Sequence, residues 1–261
     1  MDYAISSNYK LTLSGFYKDY YGLLNTDVLQ IGPKQFDYWA NSDYGRARGL
    51  EMEMNKRYGG YISGYVNYQY AFAYGKSSSE ASNYYARFQK GDIPIQEFPL
   101  DWDLRHQITL NLDLRVPEAE HPKLFGFKMP DNWGVNVVWQ YHSGFAFTPS
   151  ATYPGMELRL GENPLPNSKR MPATSNVDLR FNKDFKVWKL NYSFLVWVIN
   201  LFDTRNVATV YGSTGRPDTN QNYFDGAFNQ NVVYQGREIE RNPLNYGPGR
   251  NIKLGLSINF F

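Results

Sequence analysis

The chain has 261 residues, 27 basic against 25 acidic side chains, no cysteine, and 22 Tyr, 17 Phe and 6 Trp that make it 17% aromatic. A net charge of +2, spread evenly, gives no footprint for a nucleic-acid partner, and the lack of cysteine excludes disulfides and thiolate metal sites. A mean hydropathy of −0.56, with no run of about 18 apolar residues, excludes helical membrane spans but not a membrane β-barrel, whose alternation hides its lipid face from averages.

Eight segments alternate with a period of two, which predicts strands with one apolar and one polar face. The first runs from about Tyr9 to Leu23, with Leu11, Leu13, Gly15 and Tyr17 on one face. In the second, "GLEMEMNKR", Leu50, Met52 and Met54 oppose Glu51, Glu53 and Asn55; in the third, Ile62, Val66, Tyr68, Tyr70, Phe72 and Tyr74 oppose Ser63, Asn67 and Gln69. The fourth sets Ile108, Leu110, Leu112 and Leu114 against Gln107, Thr109, Asn111, Asp113 and Arg115. The fifth has Trp133, Val135, Val137, Trp139 and Tyr141 opposite Gly134, Asn136, Gln140 and His142. The sixth has Val177, Leu179 and Phe181 opposite Asp178, Arg180 and Asn182, and the seventh Leu190, Tyr192, Phe194 and Val196 opposite Asn191 and Ser193. The last strand alternates Ile252, Leu254, Leu256, Ile258 and Phe260 with Asn251, Lys253, Gly255, Ser257 and Asn259.

The links between these strands are of two kinds. "KRYGG" and "NKDFKVWK" are short and "VPEAEHPKLFGFKMPDN" is intermediate, whereas Thr26 to Ala40, Lys76 to Asp101, Thr148 to Thr174 and Thr204 to Gly249 are long. Short turns at one end and long loops at the other are the habit of an outer-membrane barrel. The polar faces carry Glu51, Glu53, Asn111, Asp113, Arg115, Asp178, Arg180 and Lys253, groups that suit a wet lumen better than a dry sandwich core. The fold expected is therefore all-β: an antiparallel transmembrane barrel segment of about eight strands, with short periplasmic turns and long external loops. Its alternatives are a self-contained eight-stranded barrel with a structural or adhesive role and a soluble carbohydrate-binding β-sandwich.

Several stretches together resemble the C-terminal part of the β-barrel of TonB-dependent outer-membrane receptors. They are "NSDYGRARGLEMEMNKR" (Asn41 to Arg57), "DWDLRHQITLNLDLR" (Asp101 to Arg115), "YHSGFAFTPS" (Tyr141 to Ser150), "NVDLRFNKDF" (Asn176 to Phe185), "VINLFDTRNVATVYGSTGRP" (Val198 to Pro217) and the closing "YGPGRNIKLGLSINFF". The resemblance runs from about Tyr9 to Phe261 and implies the last part of a barrel of about 22 strands. It implies outer-membrane lipid as surroundings, a barrel-assembly machinery that reads Ile258, Phe260 and Phe261, and uptake of a siderophore, a glycan or another small solute. TonB and a plug domain are implied as partners of the complete receptor only; residues 1–261 carry neither plug nor TonB-contacting segment. The family usually closes on a single aromatic in register, whereas here Phe261 follows one that already completes the stripe. "MDYAISSNYKLTLSG" has no basic region followed by an apolar one, so no signal peptide is read there, and the chain is expected to be an excerpt of a longer one.

Within these motifs, Gly49 returns a strand from a loop to the wall, and Asp103, Arg105 and His106 stand at the loop end of a strand where neighbouring charges can pair. Asn200 is placed to bond its own backbone as the chain leaves the sheet. A search for catalysis finds nothing: His106, His121 and His142 lack ligand spacing, "YGPGR" lacks a phosphate loop's other residues, and "YGSTG" lacks nucleophile-elbow spacing. No cofactor is expected. "DTNQNYFDG" could offer Ca²⁺ the oxygens of Asp218, Asn220, Asn222 and Asp225 but departs from the EF-hand pattern. Ligand capture falls instead to loop aromatics, Tyr84, Tyr85, Phe88, Tyr153, Tyr211, Tyr223, Phe224 and Tyr234, because rigid rings give contact area at small entropic cost.

Overall fold

The computed structural model describes residues 2–90, 96–124, 126–150, 154–155, 164–220 and 242–259. Nine strands follow one another in an antiparallel meander: β1 (Asp2–Ser6), β2 (Tyr9–Ile31), β3 (Lys34–Gly59), β4 (Ile62–Gly75), β5 (His106–Val116), β6 (Trp133–His142), β7 (Thr174–Val187), β8 (Leu190–Ile199) and β9 (Asn251–Asn259). Phe98–Pro99 adds a short rung on β4 above β5. Among the described residues β1 and β9 each pair on one side only, so the sheet is open.

The expected alternation sets the register. Leu11, Met54, Val66, Leu110, Trp139 and Val177 oppose one another in sequence across six strands. One pleat further along, Ser63, Asp113, Asn136, Arg180, Trp197 and Lys253 form a row on the opposite face. Because a slip of one residue would exchange the two faces, these rows pin the whole meander. No second sheet covers the apolar face among the described residues: Leu50 and Leu256 are each 63% exposed and Leu254 71%. Within the described residues a sandwich's second sheet does not bury this stripe, and the sheet's two edges do not meet as those of a closed eight-stranded barrel would.

Three expectations are corrected. The stretch from Thr26 to Ala40 is no loop: β2 and β3 stay paired from Asn25↔Ala40 to Ile31↔Lys34 and turn at Gly32, whose φ of 59° suits the first position of a tight turn before Pro33. Its polar residues lie on both faces, so no stripe betrays the hairpin. A further strand, β1, precedes the first one expected, pairing Asp2↔Thr12 through Ser6↔Tyr9. The long link after β4 contains a helix, α1 (Ser82–Lys90). The intermediate link between β5 and β6 carries a miniature hairpin, Lys123–Leu124 with Phe127–Lys128. Asp131, in the same link, accepts the backbone N–H of Ala119 at 2.9 Å, and that bond first, then Lys183, holds its carboxyl below the usual range.

Candidate functional site

The two ends of the sheet differ. At the turn end most links close within a few residues, as at Gly59↔Ile62 and Val187↔Leu190, and the longest, between β5 and β6, folds into the miniature hairpin. At the loop end the chain collects its buried polar side chains, Asn25, Thr26, Asp43, Ser77, Asp103, Asn167, Asn200, Ser213 and Asn245.

Two networks organise that rim. Asn25, fully buried, donates from Nδ2 to Asp43 Oδ2 and to Ser77 Oγ, both at 2.8 Å, while Ser77 donates to the same carboxylate. Its Oδ1 accepts the backbone N–H of Thr26 at 2.8 Å and of Asn83 at 3.4 Å, tying α1 to the β2–β3 hairpin, where Arg87 pairs with Asp37. The second network centres on Asp103, whose side chain is 0% exposed. Its Oδ1 accepts the N–H of Ala73 at 2.6 Å, and Oδ2 receives Arg105 Nε at 3.1 Å and Arg170 Nη2. Arg105 lies 4.1 Å over the Phe72 ring and donates to Tyr74 Oη at 2.9 Å. The charges expected to pair at this strand end do so; Arg170, far off in sequence, had no local signal.

The short motifs acquire physical roles. Ser143 Oγ accepts the N–H groups of Arg105 and His106, each at 3.0 Å, finishing the loop end of β5. A Cβ on the next residue, Gly144, would stand 1.6 Å from the Met171 carbonyl oxygen, so only glycine admits that crossing. Gly49 makes room for Phe16, whose ring would be 2.9 Å from an added Cβ. Asn200, with φ of 55°, accepts the Thr204 N–H at 2.9 Å and donates to the carbonyls of Thr204 and Pro248.

The residues expected to line the lumen share the polar face. Glu51 accepts from Gln69 at 3.3 Å, Glu53 from Asn55, and Asn111 from Asn136 at 2.7 Å. Asp113 and Arg115 meet at 3.5 Å and, with Arg180, line a concavity of about 710 Å³. Lys253 stands 4.9 Å from the Trp197 ring centroid. Asp178 is used internally, accepting Asn176 Nδ2 at 2.7 Å and the Asn200 N–H at 2.9 Å.

Among the described residues the aromatic candidates lie on two separate segments. Tyr84 and Tyr85 sit edge to face on α1, 5.7 Å apart, with Phe88 further along the helix and its side chain outside those described. Tyr211 belongs to a separate loop that meets Ser150 through Gly212 and the chain at Asn245 through Ala208. Tyr153, Tyr223, Phe224, Tyr234, Phe260 and Phe261 lie outside the described residues, as do Asn222 and Asp225. Asp218 is engaged by Arg216 at 3.1 Å, which keeps its carboxyl ionised to lower pH than usual, and Asn220 accepts from Ser213 at 2.7 Å.

No family model matches the chain, and no curated protein matches it by sequence. Solved structures do. The outer membrane transporter YddB from Escherichia coli superposes with a TM-score of 0.54 at 10% identity, covering 79% of this chain and 28% of that one. The fold is that of an outer-membrane barrel wall. The ferric-catecholate import receptor Fiu from E. coli K12 matches at 17% identity with a TM-score of 0.45, covering 81% and 23%. The chain thus spans about a quarter of the length of these structures.

Proposed function

We propose that this chain forms part of the wall and loop rim of a TonB-dependent receptor in the outer membrane of a Gram-negative-type bacterium, where it serves uptake of a scarce solute. The observation that carries the reading is the asymmetry of the sheet. Among the described residues one face is apolar and uncovered, the other polar and concave, and the longest links stand at one end. Unpaired edges are not tolerated in lipid, so β1 and β9 take further strands of the same barrel as neighbours. The polar face then lines a lumen filled by a plug, and TonB drives that plug in the complete receptor. The role is binding and passage rather than catalysis. A siderophore or a glycan fits the exposed rings of Tyr84 and Tyr85, with α1 anchored through Asn25 and Arg87 as their platform.

An antibody against the purified chain, used on outer-membrane fractions with and without boiling, tests this. The expected result is one heat-shifting band several times larger than this chain. A heat-shifting band at the chain's own mass overturns the receptor reading, and signal confined to the soluble fraction overturns the membrane reading as well.

A further inference from the structure

The apolar face of β3 is not greasy to its end. Read along that face, the side chains are Tyr44, Arg46, Arg48, Leu50, Met52, Met54 and Lys56, so cations close the stripe at both limits. At the turn end a single lysine stands by Tyr9, 5.7 Å from its ring centroid. The loop end is built differently. Arg48 lies opposite Tyr17 and Phe72, with its guanidinium 5.8 Å from the Phe72 centroid, and Arg105 covers the same ring at 4.1 Å. One step higher, Lys76 stands 5.2 Å from the Tyr44 centroid, and Arg46 pairs with Glu97. Four cations therefore crowd one edge of the wall, directly above a belt of Tyr68, Tyr70 and His106, in which Tyr70 and His106 stack at 4.9 Å. Asp19, opposite Arg46, and Glu97 offset part of this charge, while Asp103 is shared between Arg105 and Arg170.

From this geometry we infer that Arg48, Lys76 and Arg46 form a binding site for the phosphate of an anionic lipid headgroup in the leaflet at the loop end. The inference rests on the sheet being a membrane wall. Aromatic belts mark the depth where headgroups begin, and phosphates lie just beyond them. Cations held over ring faces are pre-oriented, so they lose little freedom on meeting a phosphate, and guanidinium groups form charge-assisted pairs with it. Arg48 is exposed on the same face as Leu50 and Tyr17, so an acyl chain on Leu50 and Met52 brings its headgroup to that guanidinium. A solute in the lumen cannot use the site, because Arg48 points to the opposite face from Glu51 and Glu53.

The test uses the full polypeptide extracted from membranes in detergent, with lipid A and its phosphate-free counterpart as probes in native mass spectrometry. Insertion is verified first by heat-shifted mobility. The expected result is preferential retention of phosphorylated lipid A, falling roughly tenfold in the Arg48→Gln, Lys76→Gln double variant. The turn-end variant Lys56→Gln retains it like the parent. Equal retention of both probes, or equal loss from the turn-end variant, overturns the site while leaving the wall intact. Displacement by millimolar inorganic phosphate overturns the lipid as its occupant. Absence of heat-shifted mobility overturns the wall and the site together.

Discussion

The wall and the loop rim are made from the same chain by opposite means. In the wall, order comes from repetition: each strand repeats its neighbour's alternation, buries little, and leaves its apolar side chains for lipid. At the rim, order comes from single contacts that do not repeat, and buried groups such as Asn25, Asp103 and Asn200 are fully bonded. A wall residue is thus replaceable by another of its polarity, whereas a rim residue is tied to specific partners. The two regions have different sensitivities to substitution.

The largest effect expected is at the rim. Asp103→Ala leaves Arg105 and Arg170 without their shared acid, and loss of one partner from a buried charge cluster costs about 3–5 kcal/mol. Limited proteolysis of the folded, membrane-inserted polypeptide reads this as new cleavage around residues 96–105 and 167–173; an uncut variant would remove the cluster's structural role.

In the wall, polarity decides. Leu110→Arg, in the middle of the apolar row, is expected to destabilise by about 2–4 kcal/mol in urea unfolding from lipid vesicles. Thr109→Arg, its neighbour on the polar face, is expected to change stability far less, and equal losses would mean that the two faces do not meet different surroundings. Asn25→Ala strips the bonds to Asp43, Ser77 and Asn83, for about 1–3 kcal/mol, and hydrogen exchange should show α1 opening while β5 to β7 keep their protection.

The smallest effect concerns Asp131, whose folded carboxyl titrates below its ordinary 3.8. A depressed folded pKa stabilises above the unfolded value and loses that contribution as pH falls through the folded one. Asp131→Asn should therefore lower stability slightly at neutral pH, where the ionised carboxylate contributes, and leave it nearly unchanged once that carboxyl is protonated, so the acid limb flattens. An unaltered acid limb would show the bond to Ala119 to be inconsequential.

What was legible in the sequence follows the same division. Alternation in "QITLNLDLR" and "NIKLGLSINFF" reports a face directly, because the pleat translates sequence parity into side. The loop at Thr26–Ala40 was misread because Asp27, Gln30, Gln35 and Asp37 fall on both faces of the hairpin, where neither face is a uniform apolar stripe. Helix α1 was missed because its sequence, "SNYYARFQK", has no acidic first turn and is too short and polar for the helical spacing of Tyr84, Tyr85 and Phe88 to stand out; Asn25 and Asp37 anchor it from β2 and β3. The pairing of Asp103 with Arg105 was readable from their closeness, but Arg170 was not.

The sequence by itself determined eight of the nine strands, their faces and the end that carries the longest links, because these depend on residues two apart or on the length of a link. Only the tertiary structure decided how the rim packs, that Arg170 shares the acid of Asp103, and that cations from β3 and the end of β4 gather above one aromatic belt. Those contacts join residues whose separation carries no period, so no local pattern encodes them and only the folded sheet brings them together.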